Sequence, residues 1–102
     1  MAYTFDGSEG EQITSQVAAS MKGNYQGTAG IGAREAIFFG KDLLNDILDQ
    51  TGCMGIRFYF AKDDDEKMEL VLVGVDANGA DIDDGIFGDR GSPCPPFCTA
   101  SS

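Results

Sequence analysis

The residues best equipped for chemistry stand near the end of the chain, where Cys94-Pro95-Pro96-Phe97-Cys98 sets two thiols four positions apart. Two cysteines at short spacing can exchange with other thiols, ligate a metal, or form a structural bridge. Backbone geometry bears on all three. Cys94 and Pro95 each precede a proline and are biased to extended conformations, and a polyproline segment rises ~3.1 Å per residue, which would set the two Cα atoms roughly 12 Å apart. A disulfide needs about 4.4–6.8 Å. Unless a cis proline folds the segment back, the expectation is that Cys94 and Cys98 do not pair with each other, and the spacing also departs from that of a Cys-x-x-Cys redox pair. Cys53, the third cysteine, opens a predicted strand, so a long-range bond from Cys53 to Cys94 or Cys98 has the better geometry and leaves one thiol over for an intermolecular bond. The plainest reading keeps the cysteines reduced, with Phe97 packing the tail onto a sheet. A tetrahedral zinc site would need all three cysteines and a carboxylate or water, because the chain has no histidine.

A second group is acidic. Asp76, Asn78, Asp81, Asp83 and Asp84 crowd into "DANGADIDDGIFGD", and oxygen donors at such density suit calcium. The EF-hand register fails: counting from Asp76, the sixth position is Asp81 where glycine is required and the twelfth is Phe87 where a glutamate is required. An irregular calcium site is one reading, and a hairpin turn followed by a solvated acidic loop is the plainer one. "DDDE" at 63–66 reads in the same way, as a charged loop that discourages edge-to-edge aggregation. Catalytic patterns are scarce. There is no histidine for a triad or relay, no glycine-rich phosphate loop after a strand and no Gly-x-Ser-x-Gly elbow, so an enzyme is not expected.

The composition narrows the rest. A chain of 102 residues supports a single domain with one small core. Its formal charge of −10 disfavours nucleic acid and anionic membrane surfaces as partners. No apolar run approaches the ~18 residues of a membrane span, and the N-terminus has neither a basic nor an apolar signal region, which reads as a cytoplasmic protein with export by another route left open.

Periodicity then supplies the elements that would position these residues. Ile13, Val17, Ala18 and Met21 fall on one helical stripe, and Ser8 with Glu11 makes a capping box, predicting a helix over about 9–22. Four glycines between Gly23 and Gly32 predict a linker. A short strand at about 35–39 precedes a helix at about 41–50, whose Leu43, Leu44, Ile47 and Leu48 form one face and whose end falls near Gly52. Ile56, Phe58 and Phe60 alternate with Arg57 and Tyr59, giving a strand at about 54–61. A second strand at about 68–77 is apolar on both faces and belongs in the middle of a sheet. Asn78-Gly79 predicts a type I′ turn into a short strand at about 80–83. The expected fold is α+β, a small antiparallel sheet of three to four strands with two helices. It divides into an N-terminal helix and linker (1–32), an α+β core (33–85) and an extended tail (86–102).

The segments "GCMGIRFYFA", "LVLVGVDANGADI" and "CPPFC" together resemble a family of small uncharacterised bacterial proteins with a Gly-Ile-Arg-aromatic strand, a Val-Gly-Val-Asp-Ala-Asn-Gly hairpin and a Cys-Pro-Pro-x-Cys terminus. The likeness covers residues 36–98. It implies an architecture and carries no activity, cofactor or site residue.

A strand apolar on both faces, a helix on a glycine-rich tether and arm-like termini lean toward self-association. The leading expectation is a structural or interaction protein that forms a homo-oligomer, with a filament as one form, through strand edges and terminal arms. The alternative is a monomeric acidic binding module, with calcium as its candidate ligand.

Overall fold

A computed structural model of the chain describes residues 4–30 and 32–99. The first three residues, Ile31 of the expected linker and residues 100–102 of the expected tail lie outside the described residues. The chain adopts the α+β class, with helices α1 (Ser15–Gln26) and α2 (Lys41–Leu48) and strands β1 (Ala36–Phe38), β2 (Gly55–Lys62), β3 (Met68–Val75), β4 (Phe87–Gly88) and β5 (Ser92–Cys94). The strands form two antiparallel sheets: β2, β3 and β4 in that order, and a separate ribbon of β1 with β5.

The hairpin of β2 and β3 is the frame. Its register sets Phe58 opposite Leu72 and Arg57 opposite Val73, so Ile56, Phe58, Phe60, Leu70 and Leu72 share one face while Arg57, Tyr59, Val71 and Val73 share the other. The first face receives α2. A side chain at Gly74 would strike Cys53 and the Gln50 amide, and one at Gly88 would strike Leu43, so these two glycines let the helix and the turn after it lie close to the sheet. Among the described residues the buried apolar set is Ile47 of α2 with Leu72, Val73 and Val75 of β3. Both faces of β3 are thus covered at its C-terminal end, as its two-sided apolar pattern predicts.

The chain turns twice by the same device. Asp63 accepts the Glu66 N–H on its carbonyl and the Asp65 and Lys67 N–H groups on its carboxylate; Asp76 does the same with Gly79, Asn78 and Ala80. Each is a type I turn closed by a residue at positive φ, Glu66 at 63° and Gly79 at 81°. The type I′ turn expected at Asn78-Gly79 is therefore replaced, because the Asp76 carboxylate holds Asn78 in the ordinary right-handed region and only Gly79 takes the left-handed one. Glu66 occupies the position that glycine fills in the second turn. Glu66→Gly is expected to raise unfolding stability by about 1 kcal/mol, measured by urea denaturation; no change would mean the left-handed backbone at 66 carries no strain.

Three placements differ from the expectations. The stretch 80–83 contributes only an isolated bridge from Asp81 to Val75, and the third strand of the sheet is β4, which pairs Phe87 with Val73. Helix α1 begins at Ser15 under a Thr14 cap, with Gly7 and Gly10 at φ 92° holding the preceding chain in a turn in which Glu9, rather than Glu11, takes the Asp6 and Gly7 N–H groups. The helix also runs through Gly23 to Gln26, so the linker is shorter than expected. The tail is not a free arm: β5 pairs with β1, Ala36 opposite Cys94.

Candidate functional site

The two chemical groups singled out in the sequence are placed apart. Cys94 and Cys98 are joined by a disulfide, against the expectation that they do not pair with each other and that the cysteines stay reduced or, failing that, that Cys53 bonds one of them. The peptide bonds before Pro95 and Pro96 are both cis, which turns the segment back and brings the Cα atoms to 4.7 Å. The extended-chain estimate of roughly 12 Å applied to trans prolines. Phe97, expected to anchor the tail on a sheet, lies 63% exposed on the resulting loop, its N–H donating to the Pro93 carbonyl. Cys53 stays a free thiol, half-buried, donating to the Gly55 carbonyl at 3.2 Å.

The acidic residues are largely engaged in local structure. Asp76 caps its turn through two backbone N–H groups. Both oxygens of Asp81 are occupied, one by the Arg57 guanidinium at 2.7 Å and the other by the Tyr59 hydroxyl at 2.6 Å. Asn78, Asp83 and Asp84 are exposed. Among the described residues no group of three or more cysteine or carboxylate side chains is disposed to hold a metal ion.

The Arg57, Tyr59 and Asp81 cluster was not singled out as a unit by sequence. Its signal lies in the strand pattern, which sets Arg57 and Tyr59 on one face of β2 with an aspartate just beyond the next hairpin. Arg57 also donates to the Gly79 carbonyl, and its guanidinium carbon sits 5.8 Å from the centre of the Phe5 ring. The Tyr59 hydroxyl and the Asp81 carboxylate raise the Arg57 pKa above its ordinary value. A guanidinium is charged at all ordinary pH in any case, so the cluster's role is to hold the 76–82 loop and the N-terminal segment against β2. Beside it, Phe5, Glu9, Met54, Ile56 and Arg57 line an open cleft of about 350 Å³.

The larger feature is apolar surface. Among the described residues four apolar side chains are buried and fourteen large ones are exposed, and seven of the exposed ones fall in two groups. Ile13, Val17, Met21 and Tyr25 run as a stripe at four-residue intervals along α1 and its approach, and no residue of α1 is buried. Phe58, Tyr59 and Phe60 project from both faces of β2, with Phe60 82% exposed. Between the groups lies a second cleft, about 230 Å³, walled by Tyr25, Ile37, Phe60, Met68 and Leu70. The Tyr25 hydroxyl donates to the Arg34 carbonyl, and Arg34 in turn bonds Glu69 at 2.8 Å and the Met68 carbonyl, which ties the last turn of α1 to the body. The radius of gyration, 15.6 Å, exceeds the ~13 Å of a compact chain of this length, in keeping with a helix that stands off.

No protein-family model, curated protein or solved structure matches this chain. The family resemblance therefore rests on the quoted segments alone. No helix of the described residues is long and apolar enough to cross a membrane.

Proposed function

We propose that this chain is a non-catalytic structural or interaction protein that self-associates, with α1 acting as an exchangeable arm. The observation that carries the reading is the exposed stripe of Val17, Met21 and Tyr25 on a helix with no buried residue, continued by Ile13 just ahead of its cap. A twelve-residue helix is marginal alone in water and gains stability mainly by burying its apolar stripe. Charge favours a second copy as the cover. Residues 12–33 carry one charged side chain, Lys22, in a chain of net charge −10, so the arm can approach an acidic neighbour without the repulsion that two acidic bodies would feel. The cleft walled by Ile37, Phe60, Met68 and Leu70, with Arg34, Glu35 and the Tyr25 of the chain's own α1 at its margin, is the surface for it to fill. Assembly of this kind extends into a filament when each arm docks on the next copy rather than reciprocally.

Light scattering tests the reading. The full chain is expected to run as a multiple of its 10.8 kDa mass, and the double substitution Val17→Asp with Met21→Asp is expected to weaken association at least tenfold, since each removes roughly 1.5–3 kcal/mol of burial. A wild-type monomer at high concentration would sink it.

A further inference from the structure

We infer that the edge of β2 is a second interface, sharing Phe60 with the cleft of the proposed arm and pairing antiparallel with the β2 of another copy across a twofold axis through Phe58 to give one continuous six-stranded sheet. The inference rests on the proposed self-association and names its geometry.

The strand order β2, β3, β4 leaves β2 at an edge, with no strand among the described residues on its outer side. Eight residues long, β2 carries three exposed aromatic side chains in succession. Proteins usually blunt such an edge with proline, a bulge, inward charge or a covering loop; here the ladder to β3 is unbroken from Gly55 to Lys62, and the charges on the strand are Arg57, bonded to Asp81, and Lys62 at its end. The N-terminal segment lies against Met54 to Arg57 at one end of the strand, and the aromatic stretch from Phe58 to Phe60 beyond it is a template for strand addition.

The choice of a second copy as occupant comes from charge and from the strand's own sequence. Residues 50–62 contain Arg57 and Lys62 and no carboxylate, so in a strongly acidic chain this is the strip along which two copies approach with least repulsion. A twofold axis normal to the sheet keeps each face continuous, so residues pair only with residues of the same face. Two central registers satisfy this. With Tyr59 on the axis, Ile56 would lie opposite the partner copy's Lys62. With Phe58 on the axis, Phe58 meets its own mate, Ile56 meets Phe60, and Arg57 meets Tyr59. All three are favourable cross-strand pairs, the last a guanidinium over an aromatic ring, and no like charges are opposed. The second register buries Phe60, the most exposed aromatic side chain of the strand, against Ile56 twice over.

Register-specific cross-linking tests the inference. Cysteine is placed at 58 or at 60 in a Cys53→Ser background, and linked species are read by peptide mapping under oxidised glutathione. Paired residues on an antiparallel ladder have Cα atoms about 4.5–5.5 Å apart, within disulfide reach. Residue 60 and its mate are separated by four positions, roughly 13 Å. Phe58→Cys is therefore expected to form a disulfide-linked dimer at least tenfold faster than Phe60→Cys, and Phe58→Lys to weaken the edge dimer at least tenfold by opposing two ammonium groups on the axis. Equal rates, or faster linking at 60, overturn the inference. If the wild-type chain self-associates and the arm variants abolish it while the 58 and 60 cysteines show no preference, the edge interface falls and the arm reading stands. A wild-type monomer that does not cross-link removes both.

Discussion

Leu72→Ala is expected to lower the unfolding free energy by about 2–5 kcal/mol and the melting midpoint by roughly 8–40 °C. Leu72 is fully buried, stands opposite both Phe58 and Gly88 in the ladders of β3, and lies on the face that α2 covers. The cavity left by truncation has little chance to collapse, because the backbone on one side is held in two ladders and the helix on the other already touches the sheet through glycines. The loss is large relative to the whole: a chain of this length has a net stability of only about 5–15 kcal/mol. With only Ile47, Val73 and Val75 beside it in the buried set, no second cluster takes over. Urea denaturation followed by circular dichroism reads the change, and a loss below about 1 kcal/mol would mean that the contact between α2 and the sheet is not the core.

Gly79→Ala is the second large effect, expected at about 1–3 kcal/mol. Two costs combine at this position. Gly79 holds φ 81°, where a Cβ is strained whatever space surrounds it, and an added Cβ would also collide with the Phe5 ring. Phe5 is the point at which the N-terminal segment joins the fold, through its N–H to the Ala77 carbonyl and its ring beneath Arg57. The substitution is therefore expected both to destabilise the turn and to release the segment ahead of it. Repeating it in a Phe5→Ala background separates the two, since only the backbone cost then remains. An equal loss in both backgrounds would show that the ring is free to move aside.

Much of the frame was legible in the sequence. The alternation in "GIRFYF" and the unbroken apolar run in "LVLVGV" announce β2 and β3 to within two residues at each end, and the Leu43, Leu44, Ile47, Leu48 face announces α2, because hydrophobic periodicity records which face is buried. Features decided by backbone isomers and side-chain capping were not legible. The Cys94–Cys98 bridge depends on two cis bonds that composition does not reveal. The turn at 76–80 depends on an aspartate capping two N–H groups, which overrode the usual preference of Asn-Gly. Strand β4 is two residues with no period at all, and it was missed where the more regular stretch at 80–83 looked the better strand. The exposed apolar surface was half legible: the narrow stripe on α1 is visible in the sequence, but that no residue of the helix is buried emerges only from the fold.

The separation of the strands into two sheets also orders events in time. The β2–β3 hairpin closes a loop of five residues, whereas the β1–β5 ribbon joins Ala36 to Cys94 across more than half of the chain. Loop-closure entropy rises with that span, and a ribbon of three paired residues returns little for it. The ribbon is accordingly expected to form after the hairpin and to open before it, which hydrogen exchange would read as lower protection in β1 and β5 than in β2 and β3. The disulfide closes within β5 and its own following loop, so it stiffens one side of that ribbon without holding the two sides together.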